Sequence, residues 1–130
     1  MKEQTCAQLV ERKWADRKGT LEAYMAMRNP NDGDDERGPF SEWALWFDYV
    51  LPYTWSDQPR GYWRYGISTG GPSDEIRFYG NLNTFTDAEY RYHDWYDGAG
   101  LDVSKEPCIV WLWQQLQMTG AVAQAKREAY

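Results

Sequence analysis

The residues best suited to chemistry are His93, Asp94 and Asp97: the chain's single histidine with two carboxylates close by. A histidine oriented by a carboxylate is the usual general base. Here, however, positions 93 and 94 fall in an alternating stretch that reads as a strand. Neighbours in a strand point to opposite faces and cannot orient each other. No serine or cysteine stands in a nucleophile motif, and GxSxG is absent. A lone histidine among tyrosines is more often a packing or surface residue, so no catalytic residue is assigned.

Asp74-Glu75 offers two carboxylates, as glycoside hydrolysis requires. A retaining pair needs carboxyls ~5 Å apart across a bound sugar, usually supplied by different elements. Adjacent residues beside a turn do not provide that. The preceding Gly70-Gly71-Pro72-Ser73 is not a phosphate loop, since it lacks the GK[ST] ending and leads into negative charge. Asp32, Asp34, Asp35 and Glu36 fall within five residues. Their spacing does not match a calcium loop, and no bidentate glutamate follows at the twelfth position. Cys6 and Cys108 form no CxxC, which argues against a zinc site and a disulfide framework. No metal and no cofactor are expected.

The elements that must position these groups follow from periodicity and turn chemistry. Residues 3–28 read as a helix, with Cys6, Val10, Trp14, Leu21, Tyr24 and Met25 on one face. Gly19-Thr20 interrupts that pattern, and Asn29-Pro30 ends it. Residues 31–39 form an acidic loop. Ser41 reads as the N-cap of a second helix over 42–51, with Trp43, Trp46, Phe47 and Val50 as its apolar stripe and Pro52 as its stop. Trp55 then stands in a polar loop.

Three strands follow: 62–68, about 75–79, and about 88–96, divided by turns at 69–73 and 80–86. Asp97-Gly98-Ala99-Gly100 is expected to close the last of them. Ser104 and Pro107 introduce a final helix over 105–127, which Gly120 ends or bends. The expected fold is α+β, in the order α-α-β-β-β-α: a small three-stranded antiparallel meander with helices packed on one face. All of residues 1–130 are expected in a single compact domain. The chain has 8 Trp, 10 Tyr and 4 Phe, ample for a core without staples.

The net charge of −6 is unevenly spread. Residues 29–106 carry fifteen acids and six bases, whereas both terminal parts are slightly basic. Such an excess repels phosphates, so direct nucleic-acid binding is not expected. The N-terminus has no apolar h-region, and the longest apolar run, Cys108–Trp113, is too short to span a bilayer. A cytoplasmic location is expected.

Tyr62-Trp63-Arg64-Tyr65-Gly66-Ile67-Ser68-Thr69-Gly70-Gly71 resembles a stretch of the KlcA/ArdB-type antirestriction proteins: an aromatic pair, another aromatic, a hydrophobe, serine and Gly-Gly before an aromatic strand. The resemblance covers about ten residues. Pro72 to Glu75 separate the glycines from Ile76 and Phe78, where the family runs on more directly. It implies a small α+β protein of a phage or plasmid that blunts a host defence system, and transfers no functional residues beyond the motif.

Charge placement suggests a related mechanism. If acids from separate turns converge, their carboxylates can stand where phosphates would and occupy the basic groove of a host nucleic-acid-targeting complex, in the manner of a DNA mimic. An RNA-guided nuclease or a restriction enzyme would be such a partner, making the protein an anti-CRISPR or antirestriction inhibitor. Its charged contacts would be Asp32, Asp34, Asp35, Glu36, Asp74 and Glu75, with Trp55 and Tyr79 as aromatic anchors. The alternatives are a small hydrolase or ligand-binding domain with an aromatic cleft near His93, and a non-catalytic adaptor or assembly protein.

Overall fold

The computed structural model describes residues 4–130. Helix α1 spans Cys6–Ala26. Thr5 and Gln8 form a reciprocal cap: the Thr5 hydroxyl accepts from the Gln8 N–H, and Gln8 Oε1 accepts from the Thr5 N–H at 2.8 Å. Cys6, Val10, Trp14, Leu21 and Tyr24 form its buried stripe. Gly19 lies inside the helix with open space around it, so its cost is only the loss of helical propensity. The chain leaves α1 through Asn29-Pro30 into a 3-10 turn over Pro30–Asp32, and a second 3-10 turn covers Phe40–Glu42.

Five strands follow: β1 (Trp46–Val50), β2 (Tyr62–Ser68), β3 (Pro72–Gly80), β4 (Phe85–Asp94) and β5 (Asp97–Asp102). They form one antiparallel sheet in the order β1-β2-β3-β4-β5. Helices α2 (Pro107–Met118) and α3 (Ala121–Ala129) complete the chain. The class is α+β. The expected three-stranded sheet is corrected to five strands, and the expected helix over 42–51 does not form. Its stripe at positions 43, 46, 47 and 50 also suits an aromatic, β-branched segment, and short apolar runs do not separate the two periods. Pairing decided the matter, because Trp46–Val50 lies opposite Gly66–Tyr62 in unbroken register.

The segment expected to close the sheet is instead β5. Gly98 and Gly100 have little strand propensity of their own, but Asp97–Asp102 pairs with Asp94–Glu89 after a two-residue turn at Trp95-Tyr96. At the C-terminus, Gly120 takes φ 81° and divides the single expected helix into α2 and α3. Glu106, rather than Ser104, is the N-cap of α2. Ser104 bonds Asp102 and Ala88 instead.

All three helices lie on one side of the sheet. α1 rests against β4 and β5, α3 rests against β1, and α2 packs on both helices. The core lies between, built from Leu21, Trp63, Ile76, Phe78, Tyr90 and Leu112, each essentially inaccessible. Trp63 is its hub. Its ring centroid is 4.7 Å from that of Tyr49 and 5.3 Å from that of Trp113, and its indole N–H donates to the Val122 carbonyl at 3.0 Å. Strand alternation leaves the opposite sheet face without a helix of the described residues over it. Among the described residues, no helix is long and apolar enough to cross a membrane.

Trp63→Ala removes both the ring contacts and the bond to α3. It should cost roughly 3–5 kcal/mol in urea denaturation, the range for deleting a buried aromatic. A loss below about 1 kcal/mol would show that α3 docks independently of this residue.

Candidate functional site

The uncovered sheet face is ordered in rows set by strand register. One row runs Asp48, Arg64, Arg77, Glu89, Asp102; the next runs Trp46, Gly66, Glu75, Arg91, Gly100. Tyr62, Tyr79 and Asp87 lie to one side of these rows, and His93 to the other. Gly66 is required in its row because the Trp46 ring lies on it: an added Cβ would sit 2.1 Å from the indole.

Four arginines and four carboxylates on or beside this face are matched. Arg64 donates from Nε and Nη2 to both Asp48 oxygens at 3.1 and 2.7 Å. Arg60 forks onto Asp87 at 3.0 and 3.1 Å. Arg77 Nε donates to Glu75 at 2.7 Å, and Arg91 lies 3.6 Å from Glu89. Two guanidiniums also stack on tyrosines, Arg60 at 4.2 Å from the Tyr79 centroid and Arg77 at 4.7 Å from that of Tyr62. These arginines present planar cations backed by aromatic rings, and pairing cancels most of the net field.

At the edge of this face the β1–β2 loop rises to form a polar cleft of about 470 Å³. Trp55, Gln58, Arg60, Tyr62, Arg77 and Tyr79 line it. Gln58 holds the loop in shape, its amide donating to the carbonyls of Leu51 and Arg60 while its Oε1 accepts from the Trp55 N–H. Tyr53 and Asp57 take positive φ of 61° and 58°, conformations costly for residues other than glycine. Trp55 is left 58% exposed. The two aromatic anchors expected from the sequence, Trp55 and Tyr79, thus share one cleft.

The expected charged contacts do not gather there. Asp74 is 3% exposed and faces the helices. Arg17 donates to it from Nε at 2.7 Å and Nη2 at 3.2 Å, the Tyr90 hydroxyl donates at 2.6 Å, and the Ser68 hydroxyl also donates to it. A bulge between Gly66 and Ser68 sets Ser68 opposite Asp74. Glu75, one residue on, points to the other face, is 9% exposed and is held by Arg77. A carboxylate sealed into the core and another engaged by arginine have no free edge for a partner.

In the acidic loop, Asp34 accepts from the N–H groups of Glu36 and Arg37 at 2.9 and 2.7 Å and pairs with the Arg37 side chain. The Glu36 N–H bond leads the causes that hold its carboxyl below the usual range. Asp34 therefore shapes the loop, while Asp32, Asp35 and Glu36 face solvent. This loop is tied to the end of α1 by the Tyr24 hydroxyl, which donates to the Gly38 carbonyl at 2.9 Å. It precedes β1, and the cleft loop follows β1, so roughly 14 Å of strand lies between them.

His93 lies on the open face over Gly98, whose absent Cβ makes room for the ring: an added one would sit 2.7 Å from Nδ1. Burial lowers its pKa from 6.5, and the Arg91 guanidinium adds to that, outweighing Glu75 and Glu89. No hydrogen bond joins it to Asp94 or to any nucleophile among the described residues, and no group of three or more His, Cys, Asp or Glu there could hold a metal. Cys6 and Cys108 are buried free thiols; burial raises both, Cys108 to about 11, and leaves them poor nucleophiles.

No family model, curated protein or solved structure matches this chain. Sequence reasoning missed Arg60, Tyr62 and Arg77. Their signal was the alternation of tyrosine and arginine in β2 and β3, which marks a face that is aromatic yet not core.

Asp74→Asn keeps the shape but leaves Arg17 without its counter-charge. Since Arg17 keeps one-third of its side chain in solvent, the loss should be about 2–4 kcal/mol in urea denaturation, and Asp74→Ala should lose more. A neutral result would mean that the cluster is not a clamp. For His93, the unfolded chain binds the proton more tightly. Stability should therefore rise with pH from the folded pKa up to 6.5 and fall as pH drops through that window. An NMR titration midpoint for His93 at or above 6.5 would contradict its burial.

Proposed function

We propose that this chain is a non-catalytic binding protein that docks on a basic host macromolecule. Within that class, it acts in the cytoplasm as an inhibitor of a nucleic-acid-targeting complex, of the anti-CRISPR or antirestriction kind. The observation that carries the binding reading is the cleft where Trp55, exposed on a strained loop, meets the Arg–Tyr stacks of the uncovered sheet face. A large aromatic held out by a rigid loop beside arginine is the composition of an interface hot spot. The inhibitor reading is supported by the net charge of −6 and by the antirestriction-like stretch at 62–71.

The mechanism changes from the one expected from the sequence. An array of carboxylates copying phosphates cannot include Asp74 or Glu75. Affinity instead comes from the aromatic cleft. Asp32, Asp35 and Glu36 lie outside that contact and act at long range, speeding encounter with a positive surface. The adaptor reading draws on a different feature: Trp95 and Tyr96, 85% and 104% exposed at the β4–β5 turn, with Trp95 at φ 58°. That tip would bind through apolar contact, largely independent of salt.

The test is inhibition of reconstituted DNA cleavage by an RNA-guided nuclease and by a restriction enzyme, with variants in each feature. Trp55→Ala and Tyr79→Ala should each weaken inhibition by more than about ten-fold. Serine at 32, 35 and 36 should slow association, with the difference fading at high salt. Full activity of the Trp55 variant would remove the cleft from the interface. A partner bound equally at low and high salt, and lost on Trp95→Gly, would favour the adaptor.

A further inference from the structure

A second cavity, of about 430 Å³, opens on the helix side of β1 and is separate from the Trp55 cleft. Its walls include Phe40, Ala44, Trp46, Phe47, Tyr65 and Leu116, and its remaining residues are the uncharged Asn31, Ser41, Gln115 and Thr119. It forms where the β1 edge, the 3-10 turn at Phe40–Glu42 and the last turns of α2 meet without closing. A cavity of this size, apolar with few polar groups, is what small-molecule sites look like.

One hydrogen-bonding group on its walls lacks a partner among the described residues. Tyr65 is 3% exposed, and its hydroxyl makes no hydrogen bond with the described residues. That hydroxyl is not fully enclosed, and Tyr65 lines the cavity. Buried polar groups are normally satisfied, and an orphan in a cavity wall marks what a ligand would supply. Burial pushes the Tyr65 phenol upward, which keeps it a protonated donor at neutral pH. The Tyr65 hydroxyl is therefore free to donate, and no wall residue carries a charge.

We propose that this cavity is a binding site for an uncharged aromatic or alicyclic small molecule bearing a hydrogen-bond acceptor oxygen. The rings of Phe40 and Phe47 hold its apolar body, and Tyr65 donates to its oxygen. The site stands on the cavity alone and does not depend on the partner-binding reading.

Acetophenone, toluene and benzoate serve as probes in amide NMR titrations of the full chain. Acetophenone should saturably shift the signals of Ala44, Phe47 and Leu116 and bind at least about ten-fold more tightly than benzoate, whose charge would be buried unpaired. Tyr65→Phe should weaken acetophenone by about three- to ten-fold and leave toluene unchanged, the signature of one neutral hydrogen bond. Ala44→Leu should fill the cavity and abolish binding of both neutral probes, with circular dichroism verifying the fold. The proposal is overturned if acetophenone gives no saturable shift at these residues, or binds no better than toluene, or is unaffected by Tyr65→Phe.

Discussion

The carboxylate of Asp74 is the joint on which this architecture turns. It receives hydrogen bonds from Arg17 on α1, Ser68 on β2 and Tyr90 on β4 while sitting on β3. One charge thereby ties a helix to three neighbouring strands. A buried carboxylate is costly unless its oxygens are filled and its charge is matched, and here both conditions are met. Hydrophobic packing alone would hold α1 near the sheet without fixing its register along it. The pairing is specific in direction, because only Arg17 among the residues of α1 bonds to this carboxylate.

That arrangement sends every helix to one side and leaves a face of five strands to manage itself. The solution is a layer of arginines, carboxylates and aromatic rings that pack flat on the strands. Glu75 and Tyr62 are buried there although no helix lies above them, because Arg77 covers both. Most charges on this face are already matched, and its planar guanidinium and aromatic groups lie flat on the strands. The unmatched negative charge is displaced to the loop at 32–36 and to chain turns. Under the binding function proposed above, contact and long-range attraction belong to different parts of the molecule, as in steered association.

Several elements were legible because local chemistry and tertiary environment agree. The apolar stripe of α1, the Asn29-Pro30 stop and the alternation through β2, β3 and β4 each point one way. The strand β1 was not legible, since Trp43, Trp46, Phe47 and Val50 satisfy a helical stripe as well as a strand. The strand β5 was hidden by Gly98 and Gly100, which are small because the side chains of His93 and Glu89 lie across them. In both places the deciding information was the backbone of a neighbouring strand. Likewise Trp55 and Tyr79 could be named from residue type, but their meeting in one cleft depends on a loop held by Gln58.

By itself, the sequence determined the α+β class, the long first helix, the central meander, the aromatic supply of the core and the uneven charge. These depend on periodicity, turn residues and composition, which act over a few positions. Tertiary structure alone decided the number of strands and, above all, the fate of the acids. Asp74 and Glu75 are adjacent and chemically alike, yet one is locked in the core and the other faces outward against an arginine. A carboxylate's role depends on which distant base it meets, and the pairing of Arg17 with Asp74 spans fifty-seven residues that no local pattern connects.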